Sequence, residues 1–201
     1  MNTDSSRTPA PTGDGSGCAI GCLVAFFVLT LLVVLGARAL DDFEKSLDGD
    51  GQLEQVGASG SVADPLSPGL VARYEDGLNV TVDPPQRKPD GTYSFTVTYD
   101  NGTDEKILPG GESVEDSVNE WAPAHLTVRA GESLDDYSEY NLKWLNEQES
   151  AFLLVLPLDA GETRSIPVTV QPSERGIPVT VEVAPPDDGY RSTAYFQFPL
   201  D

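Results

Sequence analysis

The chain has little of the chemistry that builds thiol and imidazole centres: two cysteines and one histidine in 201 residues. That excludes a disulfide scaffold and a thiolate or imidazole zinc cluster. Cations are scarce too, with 12 Lys and Arg against 33 Asp and Glu, a formal net charge of -21. Nucleic-acid affinity comes largely from basic side chains displacing counterions, so this balance excludes a nucleic-acid binder and repels anionic lipid headgroups. The signatures of acyl transfer and nucleotide chemistry are missing as well. There is no Gly-x-Ser-x-Gly elbow, no glycine-rich phosphate loop ahead of a helix, and no cysteine beyond Cys22. The length leaves room for one ordinary domain plus appendages.

Charge is absent altogether between Gly15 and Ala37, where Cys18 to Ala37 reads CAIGCLVAFFVLTLLVVLGA. A helix of about 21 residues rises roughly 32 Å at about 1.5 Å each, the thickness of bilayer hydrocarbon. Its Leu, Ile, Val and Phe side chains favour insertion by on the order of -4 to -7 kcal/mol with no charge opposing it. The expectation is a transmembrane helix over residues 17–39. The competing reading is a secretory signal cleaved after Ala39, because Ala37-Arg38-Ala39 has the small-x-small form. Against it stand a single basic residue, Arg7, ahead of the apolar run and a run longer than the roughly 7 to 15 residues of an ordinary signal. A lipoprotein signal is excluded by order, since the apolar stretch follows Cys22 instead of preceding it. Basic-residue counting does not set the orientation, with Arg7 on one side and Arg38 and Lys45 on the other; the expectation is a short N-terminal tail inside and the C-terminal part outside, because a first apolar segment this near the amino terminus commonly acts as a signal anchor. Gly17, Gly21 and Ala25 form a small-residue strip on which a homodimer or another membrane subunit can pack. Cys18 and Cys22 read first as small packing residues, with an intermolecular disulfide or acylation as alternatives.

Residues 1–16, rich in Ser, Thr, Pro and Gly, bury too little apolar surface to offset chain entropy and are expected to be disordered. Residues 40–69 begin with Leu40, Phe43 and Leu47 at helical spacing and continue in Gly, Ser, Ala, Asp and Pro, the composition of an acidic flexible stalk.

From residue 70 to 201 the pattern turns to period two. Leu78, Val80 and Val82 alternate with Asn79 and Thr81, and Tyr93, Phe95, Val97 and Tyr99 with Ser94, Thr96 and Thr98. The same period runs through Leu126 and Val128, through Ile166, Val168 and Val170, through Ile177, Val179, Val181 and Val183, and through Ala194, Phe196, Phe198 and Leu200. Turn signals separate them at Lys88-Pro89-Asp90-Gly91, Asp100-Asn101-Gly102, Ala160-Gly161-Glu162 and Glu174-Arg175-Gly176. Strands this dense, with no alternating helices, predict an all-β, two-sheet antiparallel sandwich. Phe152 to Leu158, apolar at nearly every position, reads as a strand buried on both faces, with Leu134 to Asn146 as a helical lid over it; failing a lid, its outer face is an exposed partner surface.

Three stretches together resemble a known family: Tyr74-Glu75-Asp76-Gly77-Leu78-Asn79-Val80-Thr81-Val82, Thr98-Tyr99-Asp100-Asn101-Gly102-Thr103 and Leu158-Asp159-Ala160-Gly161-Glu162-Thr163. They are similar to immunoglobulin-like extracellular domains of membrane-anchored and lipid-anchored surface proteins of actinobacteria, over roughly residues 70 to 200. The stretch from Glu112 to Asn146 departs from the compact version of that pattern. The resemblance implies an immunoglobulin-like sandwich with an extracytoplasmic adhesion, sensing or structural role, and carries over no catalytic residues.

The remaining candidates for chemistry reduce to a few. His125 alternates with Leu126 and Val128, so it belongs to the outward face with Thr127 and Arg129 and reads as a satisfied or solvated surface residue. Ser46 to Gly57 has the glycine of a calcium loop at its sixth position but begins on serine and ends on glycine where a bidentate glutamate is required. Trp121, Trp144, Tyr137 and Tyr140 read as core or lid, with a sugar or protein interface as the alternative. Neither a catalytic set, a cofactor nor a metal is expected. The bilayer is the expected partner of residues 17–39, together with a protein or envelope ligand of the head. The chain reads as a single-pass, plasma-membrane surface protein displaying a non-catalytic binding or adhesion domain; the alternatives are an accessory membrane subunit or a secreted binding protein.

Overall fold

The computed structural model describes residues 51–119, 124–131, 141–186 and 191–201. The expected tail, membrane helix and first part of the stalk lie outside them. Among the described residues no helix is long and apolar enough to cross a membrane.

Among the described residues ten strands and two short helices follow one another: β1 (Val71–Arg73), β2 (Leu78–Val82), β3 (Gln86–Arg87), β4 (Tyr93–Asn101), α1 (Val114–Ser117), β5 (Val118–Asn119), β6 (Leu126–Ala130), β7 (Leu142–Trp144), α2 (Glu147–Leu154), β8 (Thr163–Pro172), β9 (Pro178–Val183) and β10 (Ala194–Pro199). They form two sheets, ordered β1-β2-β4-β8-β7 with β3 beside β4, and β10-β9-β6-β5. All pairings are antiparallel except the two-residue contact of β5 with β6. The class is the expected all-β sandwich.

Every alternating apolar residue named from the sequence is buried between the sheets. The Phe95 and Phe198 rings meet edge to face at 5.4 Å, an arrangement that suits the aromatic quadrupole. Tyr93 pins the carboxyl terminus, its hydroxyl donating to the carbonyls of Leu200 (3.2 Å) and Asp201 (2.7 Å). Gly91, Gly161 and Gly176 take positive φ at the expected turns.

Two expectations are corrected. Residues 51–69 are part of the head, where the composition predicted free stalk. Glu54 N–H donates to Arg73 O and Glu75 N–H to Gln52 O on the β1 side. On the β10 side Tyr195 N–H donates to Gly60 O, Leu66 N–H to Tyr195 O and Gln197 N–H to Leu66 O. The segment therefore lies along one edge of each sheet, beside β1 and β10, and Leu66, 2% exposed, is inserted into the core. Second, the expected strand from Phe152 to Leu158 is instead the end of helix α2 and the turn beyond it. Glu, Gln, Ala and Leu favour helix, two glutamates occupy its first turn, and Pro157 follows its end. Of the proposed lid, Leu142 to Trp144 form edge strand β7 with Leu142 and Trp144 buried, and residues 132–140 lie outside the described set.

Candidate functional site

Helix α2 is held against the first sheet by an asparagine acting as a piece of strand. Edge strand β7 pairs with β8 only as far as Val170. One more main-chain bond, Leu145 N–H to Thr169 O (2.8 Å), follows, and the Asn146 side-chain amide then takes over, accepting from the Thr169 N–H (2.7 Å) and donating to Pro167 O (2.9 Å). Ser150, in the helix, adds a hydroxyl bond to the same Pro167 carbonyl (2.7 Å). Beyond the other end of the helix the Arg164 guanidinium, on β8, donates to the carbonyls of Leu156 and Pro157 and fastens the turn that follows α2.

This docking splits the apolar residues of the segment. Ala151, Leu154 and Leu158 face the core, and Leu153 packs against it. Leu145, Phe152 and Leu156 face outward at 43%, 55% and 48% exposure. Leu145 precedes the helix, Phe152 lies within it and Leu156 follows it, so one short segment carries three exposed large apolar side chains. Large apolar side chains grouped outward are the unusual observation, because single ones are common. Asn146 was missed in the sequence, although Asn146-Glu147-Gln148-Glu149 ahead of an apolar run is a helix-start signature.

The outward face of the first sheet is different in kind, a field of hydroxyls. Thr81 and Thr98 are cross-strand partners, as are Thr98 and Ser165, whose oxygens lie 3.3 Å apart. Thr163 donates to Asp100 Oδ1 at 3.2 Å. A shallow depression of about 440 Å³ is lined here by Arg73, Asn79, Thr81, Thr98, Asp100 and Thr163, with Val71 at its side. Its lining residues include no histidine or cysteine, and its one carboxylate, Asp100, accepts the hydroxyl of Thr163.

His125 is half-buried. Its Nδ1–H donates to Ala184 O at 2.9 Å, and its ring lies so close to Gly111 that a methyl group there would sit 2.7 Å from Nε2. It is a packed side chain with no acidic partner among the described residues. Among those residues no group of His, Cys, Asp and Glu is placed to hold a metal. The later half of the calcium-like stretch is committed to main-chain pairing, Gly51 O accepting from Ser192 N–H and Leu53 bridging Tyr74. Trp144 joins the core, whereas Trp121, Tyr137 and Tyr140 lie outside the described residues.

Charge inside the head is paired. Arg129 bonds Glu182 on the outer side of the second sheet, and Arg191 Nη2 meets Asp76 Oδ2 at 2.7 Å. The hydroxyls of Tyr74 and Tyr99 are buried without a partner. Burial raises the ionisation of both well above the ordinary phenol range; Arg191 partly opposes this at Tyr74, and each tyrosine also has a neighbour, Asp76 or Tyr74, that adds to it.

No protein-family model matches the chain, and no curated protein matches it. Among solved structures it is similar to the crystal structure of a putative lipoprotein (ycdA) from Bacillus subtilis subsp. subtilis str. 168. The identity is 11% and the TM-score 0.40, over 62% of this chain and 37% of that one.

Proposed function

We propose that the chain is a single-pass, membrane-anchored surface protein whose acidic, immunoglobulin-like head binds a protein or cell-envelope ligand outside the cell without catalysing a reaction. The observation that carries the reading is the uncharged run from Gly15 to Ala37 joined to an all-β head. The immunoglobulin-like part is supported by strand order. Lettering β2, β4, β6, β7, β8, β9 and β10 as A to G turns the sheets into A-B-E-D and G-F-C, the arrangement of constant-type immunoglobulin domains. Binding is supported by the exposed large apolar side chains Leu145, Phe152 and Leu156 in and beside α2.

Protease treatment of intact cells, followed by detergent fractionation, tests this. The reading expects the head to be digested from outside and the undigested chain to need detergent for extraction. Full-length chain dissolved without detergent refutes the anchor, and a mature chain in the medium beginning at Leu40 replaces it with a cleaved signal. Association through the helix strip is tested by Gly21→Ile, which should abolish a crosslinked dimer and leave the head folded.

A further inference from the structure

The fold requires an asparagine and a glycine side by side, the pair of residues whose backbone cyclises most readily. Asn101 is fully buried and its amide joins two loops. Nδ2 donates to Glu105 O (2.8 Å) and Leu158 O (3.0 Å), and Oδ1 accepts from the Thr103 N–H (3.2 Å) and hydroxyl (2.6 Å). Only a side chain with both donors and an acceptor can serve that set. Gly102 is required for another reason: its backbone lies against that of Gly77, and a Cβ at 102 would sit 2.5 Å from Gly77 O. Nothing larger than hydrogen fits on its Cα. A glycine leaves the nitrogen that follows an asparagine unshielded, so the chain cannot protect this bond by choosing a bulkier neighbour.

We propose that Asn101-Gly102 is a latent self-modification site: the folded head holds it closed, and unfolding releases it to lose ammonia and leave a carboxylate that the head cannot take back. In the step, the Gly102 nitrogen attacks Asn101 Cγ. The new C–N bond forms as Cγ–Nδ2 breaks, and the proton from Gly102 leaves on the departing ammonia. Water then opens the cyclic imide at either carbonyl, giving an aspartate or an isoaspartate at position 101. Folding opposes this in three ways. The Gly102 N–H is directed at Asp100 O (3.1 Å), the Asn101 amide is fixed by its four bonds, and its peptide is clamped by Glu162 O and the Gly161 N–H. Once formed, an aspartate carboxylate would face the carbonyls of Glu105 and Leu158 with no donors to offer them, a buried arrangement of acceptors against acceptors. Unfolding thereby becomes one-way through chemistry in the unfolded chain.

The full chain in detergent micelles is incubated in mildly alkaline buffer, native or unfolded by urea, and the peptide containing Asn101 is followed by mass together with released ammonia. Only roughly 10⁻³ to 10⁻⁶ of a stable protein is unfolded at any time, so the native rate is expected to be at least about 100-fold lower. Chains modified while unfolded should then fail to regain the native near-ultraviolet signal when the urea is removed, whereas unmodified chains regain it. Leu158→Ala, which destabilises the head, should raise the native rate in proportion to its unfolded population. Equal rates in the native and unfolded protein would overturn the proposal, as would modified chains that refold with an unchanged melting temperature, or a native rate indifferent to Leu158→Ala.

Discussion

Replacing Leu66 by alanine measures whether residues 51–69 belong to the head. Leu66 is inserted between the sheets, 2% exposed, and its main chain bonds Tyr195 and Gln197 on edge strand β10. A Cβ on Gly60 would meet the Leu66 side chain at 3.5 Å and that of Leu53 at 3.2 Å, so the two leucines close over a surface already filled. Truncation of a buried leucine costs ~2–5 kcal/mol, the transfer of the lost methyl groups plus the cavity left behind. Leu66 enters at a sheet edge, where the strap can settle inward and fill part of the space, which places the cost at about 3 kcal/mol. For a unit of this size that lowers the melting temperature by about 6–12 °C. The assay is thermal unfolding of the full chain in micelles by near-ultraviolet circular dichroism, with coincident far-ultraviolet melts establishing a single transition. Val56→Ala is the control: Val56 is 96% exposed on the same segment, and its truncation should change stability by less than about 0.5 kcal/mol. If Leu66→Ala behaves like the control, the segment is a tether resting on the domain and its packing role is refuted.

Gly77→Ala places a methyl group 2.7 Å from Gly102 O at a backbone φ of +99°, and should destabilise the head by about 2–4 kcal/mol in a urea melt; a loss under about 1 kcal/mol contradicts the tight backbone approach. Tyr99→Phe removes a buried hydroxyl that has no partner, so stability at neutral pH should be unchanged or up to about 1 kcal/mol higher by the same melt. Because burial raises the phenols of Tyr74 and Tyr99, the unfolded chain releases their protons first; stability is full below about pH 10 and falls as pH rises through and beyond it. Tyr99→Phe should lessen that alkaline loss, measured as the melting temperature across the range, and an unaltered profile would show that other groups cause it. Phe152→Ser should leave the melt within about 0.5 kcal/mol of wild type, while lowering retention of cell-envelope extract on the immobilised full chain; a large loss of stability would mean that Phe152 is a core residue.

What the sequence made legible was local. Period two in Tyr93 to Tyr99 or Ala194 to Leu200 specifies a strand, its buried side and its direction of exposure within a few residues, and the structure buries those side chains. The strap was not legible, because the contacts that hold Leu66 are made with residues about 130 positions later and no periodicity in Gly, Ser, Asp and Pro announces a pairing partner. Composition described what residues 51–69 do without a neighbour, and the neighbour decides otherwise. Helix α2 was misjudged for a different reason. Phe152 to Leu158 is apolar in both periods, so periodicity is silent, and the deciding residues are the polar ones before it, Asn146 to Glu149. Which apolar side chains of this segment face outward was not legible, since whether an apolar side chain is covered is a property of what packs on it.

The arrangement of amides also accounts for how a head without cysteine is closed. Constant-type immunoglobulin domains of antibodies bridge their sheets with a disulfide, and here no cysteine occurs in the sequence after Cys22. Three polar side chains tie together parts of the chain that the ladders do not reach. Asn101 joins the turn after β4 to the one before β8, Asn146 fastens α2 to β8, and Tyr93 holds the carboxyl terminus. These ties act on the folded state alone, whereas a disulfide acts largely by restricting the unfolded chain. A reductant should therefore leave the melting temperature of the head unchanged, and Asn146→Ala should lower its stability by about 1–3 kcal/mol by leaving the Thr169 N–H unpaired, while Pro167 O keeps the Ser150 hydroxyl. A melt that shifts with reductant would place a cysteine bridge in the stability of the head and count against this division of labour.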